Sequence, residues 1–342
     1  MRHHVSYSAR LADTALEASV VGSFSRVGYE IRRHVDHWEP FTPRPGATAV
    51  VTGATSGIGL ATATGLARLG FTVLIVGRDD GRTRRAREMI VAASAHRDVD
   101  YVLADMADLA SVHAAAAWVT SRVDHLDVLV HNAGAITPTR TLVSPGVDVT
   151  VASQLLGPFL LTRELSDTLA RGDTGRVVTV SSGGLYTQRF TLGALEDQSG
   201  PYDGATQYAR VKRAQVVLTR EWARRFDPAQ VVAHVMHPGW VDTPGLRASL
   251  PGFARVMGPW LRTPDQGADT VVWLASAAPA RAVSGALWLD RRRRHEHAVP
   301  WTRSIDPLAD QAALWEWCAA RVAPARRGPP SPGSGVARFV SP

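Results

Sequence analysis

The sequence predicts an α/β protein whose core is a doubly wound parallel sheet with helices on both faces. Two observations support this prediction. Short apolar β runs alternate with longer stretches of helical periodicity between residues 47 and 290, which is typical of a parallel sheet covered on both sides. The first β run also leads directly into a glycine-rich turn and a helix. We therefore expect a Rossmann-like, three-layer αβα domain over residues 46–322.

An N-terminal arm, residues 1–45, precedes this domain. Its apolar side chains recur every three or four residues, which predicts one amphipathic helix. That helix packs on the domain or on a partner subunit, or alternatively lies in a membrane interface. Pro43 and Pro45 mark the start of the domain. The apolar positions are Val20, Phe24, Val27, Ile31, Val35 and Trp38.

The first predicted strand, residues 47–52, is followed by a turn with Gly53, Gly57 and Gly59 and by an apolar helix over residues 60–69. Glycines let the backbone approach a pyrophosphate, whose charge then sits at the helix N-terminus. A tight turn without a ligand is the alternative. The order strand, turn, helix favours dinucleotide binding.

The second predicted strand, residues 72–76, ends at Gly77, Arg78 and Asp79, where such sheets meet the adenosine ribose. An arginine suits the 2′-phosphate of NADP, whereas an acid suits the 2′-hydroxyl of NAD. Arg78 therefore predicts NADP(H), and NAD stays open because Asp79 is adjacent. The third strand, residues 101–104, ends at Asp105, which we expect at the adenine edge.

The remaining elements continue the alternation. A fourth strand, residues 126–130, runs into Asn132, Ala133 and Gly134. Proline, glycine and serine dominate the end of the chain, which predicts a disordered tail over residues 323–342. Further helices are predicted over residues 79–95, 108–123, 264–275 and 308–322, and a last strand over residues 286–289.

Tyr208 and Lys212 are the strongest candidates for chemistry. Lys212 is the only lysine among 38 Lys and Arg residues, and Asn132 is the only asparagine. An ammonium is a compact charge whose pKa responds to its surroundings, unlike a guanidinium, so a lone lysine suggests a specific need for it. Residues four apart share a helix face. A nearby ammonium lowers the pKa of a phenol, which would let Tyr208 exchange a proton with a carbonyl or an alcohol. An ordinary surface pair is the alternative.

Bulk properties narrow the class of protein. The 342 residues, 45% of them hydrophobic, are enough for one large or two small domains with a substantial core. A single cysteine, Cys318, excludes an internal disulfide and fits a reducing cytoplasm. We find no signal peptide and no apolar run near about 18 residues. We therefore expect a cytoplasmic protein that is soluble or at most peripherally attached to a membrane.

The net charge of +7 and pI near 10.2 do not predict nucleic-acid binding. Arg291–Arg294 contribute four charges, and Arg321, Arg326, Arg327 and Arg338 contribute four more, so the rest of the chain carries −1. The excess is a local run and a tail rather than a basic face, although such a tail is able to bind a polyanion. His295 and His297 lack a spaced third ligand, which favours solvated loop histidines over a metal site.

Together these motifs resemble the short-chain dehydrogenase/reductase family. The glycine turn, Asn132-Ala133-Gly134, Ser181-Ser182, Tyr208-x-x-x-Lys212 and residues 238–243 occur in the family's order and span residues 47 to about 290. The resemblance implies reversible hydride transfer between NADP(H) and the carbonyl/alcohol pair of a small-molecule substrate. A narrower resemblance to one subgroup rests on residues 28–30, 181–184, 201–204, 215–219, 237–240 and 288–291.

The resemblance also implies roles for single residues. Tyr208 would be the acid/base, tuned by Lys212, which also bonds the nicotinamide ribose. Ser182, delivered by a strand over residues 176–181, would hold the substrate oxygen, although alone it suits a strand-end serine bonded to backbone. Asn132 would brace the sheet beneath the cofactor, and Pro238 and Thr243 would line the carboxamide. The expected cofactor-binding residues are Gly53, Thr55, Ser56, Gly57, Ile58, Gly59, Arg78, Asp105, Asn132, Ala133, Gly134, Tyr208, Lys212, Pro238, Gly239, Val241 and Thr243.

One position departs from the family pattern. Where the family has a helical asparagine that supports a proton relay through water, this chain has Gln154. Glutamine keeps the amide but adds a methylene, so it reaches the relay water only if the backbone shifts or the side chain folds back. We expect a working enzyme with Gln154 in a modified relay. The alternatives are a dinucleotide-binding regulator with little turnover, and a protein that binds membrane or polyanion through its arm and tail.

Two segments at the carboxyl side of the sheet carry apolar residues. We expect them to form a lid over the nicotinamide and to favour an apolar substrate. The alternative is that they bury themselves against the domain or against a second subunit in a homo-oligomer. The first segment, between Ser182 and Tyr208, contains Tyr186, Phe190, Leu192 and Tyr202, and the second, residues 244–264, contains Leu246, Leu250, Phe253, Met257 and Trp260.

Overall fold

An eight-stranded sheet runs through the middle of the protein in the computed structural model, which describes residues 7–144, 146–297 and 308–323. The strand order is β10-β9-β8-β7-β4-β1-β2-β3; all neighbours pair in parallel except β9 and β10. β5 and β6 form a separate hairpin. The strands are β1 Thr48–Thr52, β2 Thr72–Gly77, β3 Val99–Leu103, β4 Val128–His131, β5 Leu142–Ser144, β6 Val147–Asp148, β7 Gly175–Val180, β8 Val231–Met236, β9 Ala286–Leu289 and β10 Arg292–Arg294.

Helices cover both faces of this sheet. Helices α4, α5 and α14 bury one face, and α6, α8, α11 and α15 bury the other. The predicted doubly wound, three-layer fold is therefore confirmed. The helices are α1 Tyr7–Glu17, α2 Val20–Phe24, α3 Arg26–Val35, α4 Gly57–Arg68, α5 Asp80–Ser94, α6 Leu109–Arg122, α7 Val149–Val151, α8 Gly157–Glu164, α9 Ser166–Ala170, α10 Leu192–Glu196, α11 Gly204–Arg225, α12 Pro244–Ser249, α13 Pro251–Met257, α14 Pro264–Ser276 and α15 Leu308–Val322.

The strand and helix predictions agree with the structure within three residues at each end, and β9 and the last helix match fully. The sequence did not predict β8 as a strand. It also did not predict β10, because three consecutive arginines give no apolar alternation. Most of the predicted tail, residues 324–342, lies outside the described residues. No helix in the described ranges is long and apolar enough to cross a membrane.

The prediction of one amphipathic helix in the arm is wrong. The described part of the arm forms three helices, α1, α2 and α3, and the stretch predicted as one helix breaks at the extended residue Ser25, between α2 and α3. The buried side chains include Phe24, Tyr29 and Arg32, whereas Val20 is 57% exposed and Ile31 is 37% exposed. The break rotates the second helix, so part of the predicted apolar stripe faces outward.

The basic run Arg291–Arg294, which includes β10, forms ion pairs within the fold. Arg292 pairs with Asp13 and Asp36, and Arg294 pairs with Asp13 at 2.8 Å. Arg291 makes two hydrogen bonds to Asp269, at 2.8 and 2.9 Å. These bonds join the arm and α14 to the edge of the sheet. The charge of the run is therefore largely neutralised within the fold.

Candidate functional site

A cavity of about 900 Å³ lies at the carboxyl ends of β1, β2, β4, β7 and β8. Parallel strands place their final residues along one sheet edge, which is where open α/β sheets bind ligands. The structure brings all the predicted site residues into the wall of this cavity, with one exception, Gln154. Residues distant in sequence, such as Gly53, Ser182 and Thr243, thus face one space.

The glycine turn leaves room for a ligand at the start of α4. Gly53 and Gly57 have φ angles of 66° and 54°, a region that favours glycine. A Cβ on Gly59 would collide with the carbonyl oxygen of Gly53. Ser56, the N-cap residue, makes no side-chain bond to the first-turn amides within the described structure. The uncapped amides and the helix dipole suit a phosphate group.

Three other helices that begin near the cavity, α5, α11 and α12, are capped by the side chains of their N-cap residues. Asp79 accepts a hydrogen bond from the amide of Arg82 at 2.8 Å, and Asp203 accepts one from Ala205 at 2.9 Å. Thr243 caps α12 through the amide of Leu246 at 3.1 Å. The start of α4 therefore differs from these helices in lacking a side-chain partner.

The end of the cavity beside β2 is basic. Arg78 and Arg82 both line it, and neither forms an ion pair with any described residue. The Asp79 carboxylate already bonds the backbone of α5. Arg82 was missed from the sequence; it lies in the first turn of α5, which begins two residues after Arg78. Two guanidinium groups are thus available to an anionic ligand.

Asn132 holds the glycine turn to the end of β4. Its side-chain amide donates to the carbonyl oxygens of Thr52 and Gly53, each at 3.1 Å. The hydroxyl of Thr52 in turn accepts from the amides of Asn132 and Ala133, at 3.0 and 3.1 Å. These contacts agree with the expected bracing role.

Tyr208 and Lys212 lie one turn apart on α11 and both face the cavity. The Lys212 side chain is 2% exposed, donates to the carbonyl oxygen of Val180 at 3.0 Å, and places Nζ 5.1 Å from the centre of the Tyr208 ring. Burial lowers the pKa of Lys212 to about 7. The lysine therefore changes charge near neutral pH.

The expected lowering of the Tyr208 pKa by Lys212 is not seen. Burial raises the pKa of Tyr208 to about 12, and a hydrogen bond with Ser182 opposes this rise. The ring is only half-buried and faces the cavity, so water there offsets part of the effect. Tyr208 is a protonated phenol at neutral pH and is able to donate a proton.

Ser182 ends the loop after β7, beside a short helical turn over Gly183–Thr187. Its hydroxyl lines the cavity and accepts a long hydrogen bond, 3.4 Å, from the amide of Gly184. The neighbouring Ser181 is buried and donates to the carbonyl oxygen of Lys212 at 2.9 Å. Ser181 thus ties β7 to α11, and Ser182 faces the cavity.

Gln154 does not line the cavity, contrary to the prediction. It lies in a π-helical turn, Ala152–Leu156, between α7 and α8. Its side-chain amide donates to the carbonyl oxygen of Ala135 at 2.8 Å, and its own carbonyl oxygen accepts from Gln215 at 2.7 Å. Gly134 permits this arrangement because a Cβ there would lie 2.6 Å from Gln154 Oε1. The extra methylene thus turns the amide toward the backbone of residue 135.

The two apolar segments behave differently. In the first, Tyr186 and Phe190 are buried in the domain, and Tyr202 donates to or accepts from Thr137 at 2.7 Å. In the second, Leu246, Leu250 and Phe253 line the cavity, but Met257 and Trp260 do not. Other lining residues that the sequence analysis missed include Ile136, Ser153, Thr187, Gln188 and Trp240.

Three comparisons place this geometry among known proteins. The family profile for short chain dehydrogenases matches residues 47–251. Dehydrogenase/reductase SDR family member 12 from Bos taurus is 39% identical over 80% of this chain and 85% of its own length. This match confirms the narrower resemblance. Polyprenol dehydrogenase from Homo sapiens is 32% identical over 89% of this chain and 94% of its own.

A solved structure shows the same fold with a nucleotide. The 3-oxoacyl (acyl-carrier-protein) reductase from Agrobacterium tumefaciens C58, with NADP bound, is 25% identical and has a TM-score of 0.59. The alignment covers 72% of this chain and 93% of that one.

Proposed function

We propose that this chain, which belongs to the short-chain dehydrogenase family and is therefore an oxidoreductase, interconverts a carbonyl and an alcohol with NADP(H). Tyr208 would be the acid/base. The observation that carries the proposal is the convergence of Ser182, Tyr208 and Lys212 in one cavity with an uncapped helix N-terminus. When bound, the nicotinamide supplies the hydride.

The cavity residues fit a dinucleotide and favour its phosphorylated form. The glycine turn and the free amides at the start of α4 would hold the pyrophosphate. Arg78 and Arg82 line the cavity and would hold the 2′-phosphate, since neither forms an ion pair with an acidic residue in the described part of the chain. Asp79 is occupied in capping α5, which weakens the case for NAD. Lys212 would bond the nicotinamide ribose, and Thr243 would line the carboxamide.

The proton chemistry follows from the states of the side chains. Ser182 would accept or donate a hydrogen bond at the substrate oxygen and hold it beside Tyr208. As a phenol, Tyr208 would then donate its proton to the oxygen during reduction and recover one during oxidation. A charged Lys212 would stabilise the resulting phenolate. Val180 fixes the ammonium through its carbonyl oxygen.

The substrate would be apolar. Leu246, Leu250, Phe253 and Trp240 line the open side of the cavity, and apolar surface favours apolar ligands. One relative, polyprenol dehydrogenase, is named for an apolar alcohol. We therefore propose a hydrophobic aldehyde, ketone or alcohol as the substrate.

The test is NADPH oxidation against a panel of aldehydes and ketones that differ in apolar length. On the best substrate, Tyr208→Phe should lower kcat by about a hundredfold to ten-thousandfold because it removes the proton donor, while NADPH binding persists. Tyr202→Phe is the matched control, since its hydroxyl bonds Thr137 away from the cavity. Equal rates for the parent and Tyr208→Phe would overturn the assignment.

A dinucleotide-binding regulator with little turnover is the second candidate. The observation that favours it is the position of Gln154, whose side-chain amide donates to the carbonyl oxygen of Ala135 instead of lining the cavity. This candidate predicts tight NADPH binding without oxidation of the cofactor by any member of the panel. Turnover of one panel substrate at rates usual for enzymes, about one per second or more, would exclude it.

A further inference from the structure

The side chain of Phe24, from the arm, lies directly behind the proposed active site. Its ring centre is 4.7 Å from that of His237 and 5.8 Å from that of Trp240. Burial lowers the pKa of His237 to about 3, so the imidazole is neutral and packs as an aromatic ring. Phe24 is thus enclosed by residues that lead into the loop over residues 238–243.

The ring of Phe24 also rests on the turn that carries Ser182. A Cβ on Gly183 would lie 3.0 Å from Cδ2 of Phe24 and still closer to Cε2. Only a hydrogen at this position leaves room for the ring. The residue after Ser182 is therefore in direct contact with the arm.

The backbone of the arm holds the other side of the cavity. The carbonyl oxygen of Phe24 accepts hydrogen bonds from the amide of Trp240 at 2.9 Å and from Nε of Arg262 at 3.0 Å. Trp240 then packs edge to face on Phe253 of α13, with ring centres 5.2 Å apart. Both Trp240 and Phe253 line the cavity. One residue of the arm thus supports two walls of the site.

We propose that Phe24 is a positioning residue that sets both the Ser182–Gly183 turn and Trp240, making the N-terminal arm an integral part of the substrate end of the site. This inference rests on the proposed function. Phe24 does not line the cavity itself, and the glycine turn that would hold the cofactor lies on other elements. Loss of the ring should therefore disturb the substrate and the nicotinamide end of the site and leave the glycine turn intact.

Phe24→Ala in the full chain tests this directly. A misplacement near 1 Å lowers rates by about a hundredfold, and we expect kcat/KM for the carbonyl substrate to fall about tenfold to a hundredfold, mainly in kcat. NADPH affinity should fall much less than kcat, because the glycine turn and Arg78 would still hold the rest of the dinucleotide, and Phe24→Leu should restore part of kcat. Val20→Ala is the control, because it shortens an exposed apolar side chain of the same helix. Parental kcat and KM in Phe24→Ala, or equal losses in both variants, would overturn the proposal.

A second approach keeps the test decisive if Phe24→Ala fails to fold. Gly183→Ala pushes against the ring from the opposite side and should lower kcat, while Gly183→Ala combined with Phe24→Leu should recover part of it. Two losses that simply multiply would show no coupling between these residues and would contradict the inference.

Hydrogen exchange separates this inference from the proposed function. In Phe24→Leu, amides of residues 182–186 and 238–243 should exchange faster, while those of residues 53–59 stay at parental rates. Unchanged exchange at residues 182–186 and 238–243 would refute the positioning role. Absence of turnover in the parent would refute the proposed function only, because the exchange result does not depend on activity.

Discussion

Replacing Asp290 with asparagine should strongly destabilise the protein. Asp290 is 1% exposed and receives hydrogen bonds from two buried guanidinium groups, Arg32 Nη1 at 2.7 Å and Arg262 at 2.6 and 2.9 Å. Asparagine keeps the shape and tolerates the positive φ of 53° at this position. The substitution therefore removes the charge with little change in packing.

The size of the loss in unfolding free energy follows from the two buried guanidinium groups that the substitution leaves without a carboxylate at residue 290. Removing one partner of a buried ion pair costs about 3–5 kcal/mol, because the remaining charge stays buried and uncompensated. Arg32 retains Asp13 and Glu17 as partners, but Arg262 retains only carbonyl oxygens of residues 23–25 among the hydrogen bonds described here. We therefore expect a loss of about 4 kcal/mol in the free energy of unfolding.

Urea unfolding at neutral pH measures this loss. Asp173→Asn is the matched control, because Asp173 pairs with Arg281 at 3.0 Å on the surface, and exposed pairs contribute about 1 kcal/mol or less. A loss for Asp290→Asn no larger than that of the control would refute the reasoning. Equal m-values in the variants and the parent would show that the comparison reports stability alone.

Acid should reduce the difference between Asp290→Asn and the parent. Burial alone would raise the pKa of Asp290, but the charges and hydrogen bonds of Arg262 and Arg32 hold it below the ordinary value. A lowered folded-state pKa gives stability that is present above the unfolded pKa, about 3.9, and is lost as the pH falls through the folded value. The difference in unfolding free energy should therefore be constant near neutral pH and shrink below about pH 4.

Three further predictions concern the cavity. NADPH affinity, measured by fluorescence titration, should weaken between about pH 6 and about pH 9, because an anionic ligand raises the lowered pKa of Lys212 and binding then takes up a proton. Lys212→Arg stays charged over this range and should flatten the pH profile. A steep profile in that variant would contradict the assignment. Arg78→Ala should raise the NADPH Kd about tenfold to a hundredfold and leave the NADH Kd unchanged; equal effects on both cofactors would count against 2′-phosphate recognition. Gln154→Asn should lower the unfolding free energy by about 1–3 kcal/mol, because the shorter side chain loses its hydrogen bond to the carbonyl oxygen of Ala135. The substitution should not raise kcat. A higher kcat would show that the glutamine limits the proton relay.

The sheet and most of the cavity wall were predictable because they depend on local patterns. β1 and β7 are buried along their whole length, and the apolar residues at the centre of each strand mark them in the sequence. Parallel pairing then brings the end of each strand to one edge, and residues found by motif meet there without further information. This part of the site could therefore be predicted even though its residues are far apart along the chain.

The arm was predicted poorly because one of its buried residues, Arg32, is charged. Sequence periodicity assigns arginine to the solvent face, but Arg32 is fully buried. Its partners Asp13 and Asp290 lie 19 and 258 residues away, and no local pattern identifies such pairs. The apolar residues Val27 and Ile31, which the periodicity assigned to the core, remain partly exposed instead.

Gln154 shows a different limit. Its position in the motif order was correct, but the direction of its side chain depends on a π-helical turn and on the bond to the carbonyl oxygen of Ala135. An extra backbone residue in one helical turn rotates the side chains that follow. The periodicity of a short apolar helix does not distinguish that turn from a regular one.

The lone lysine acquires a physical explanation in this setting. A guanidinium at residue 212 would stay charged in a site with 2% exposure. An ammonium fits there, donates at 3.0 Å, and is able to lose its charge, since burial lowers its pKa to about 7. A chain with 37 arginines and one lysine thus has its lysine at a site that needs a compact charged group whose protonation state changes near neutral pH. We infer that ligand binding, by adding negative charge, restores the ammonium when it is required beside Tyr208.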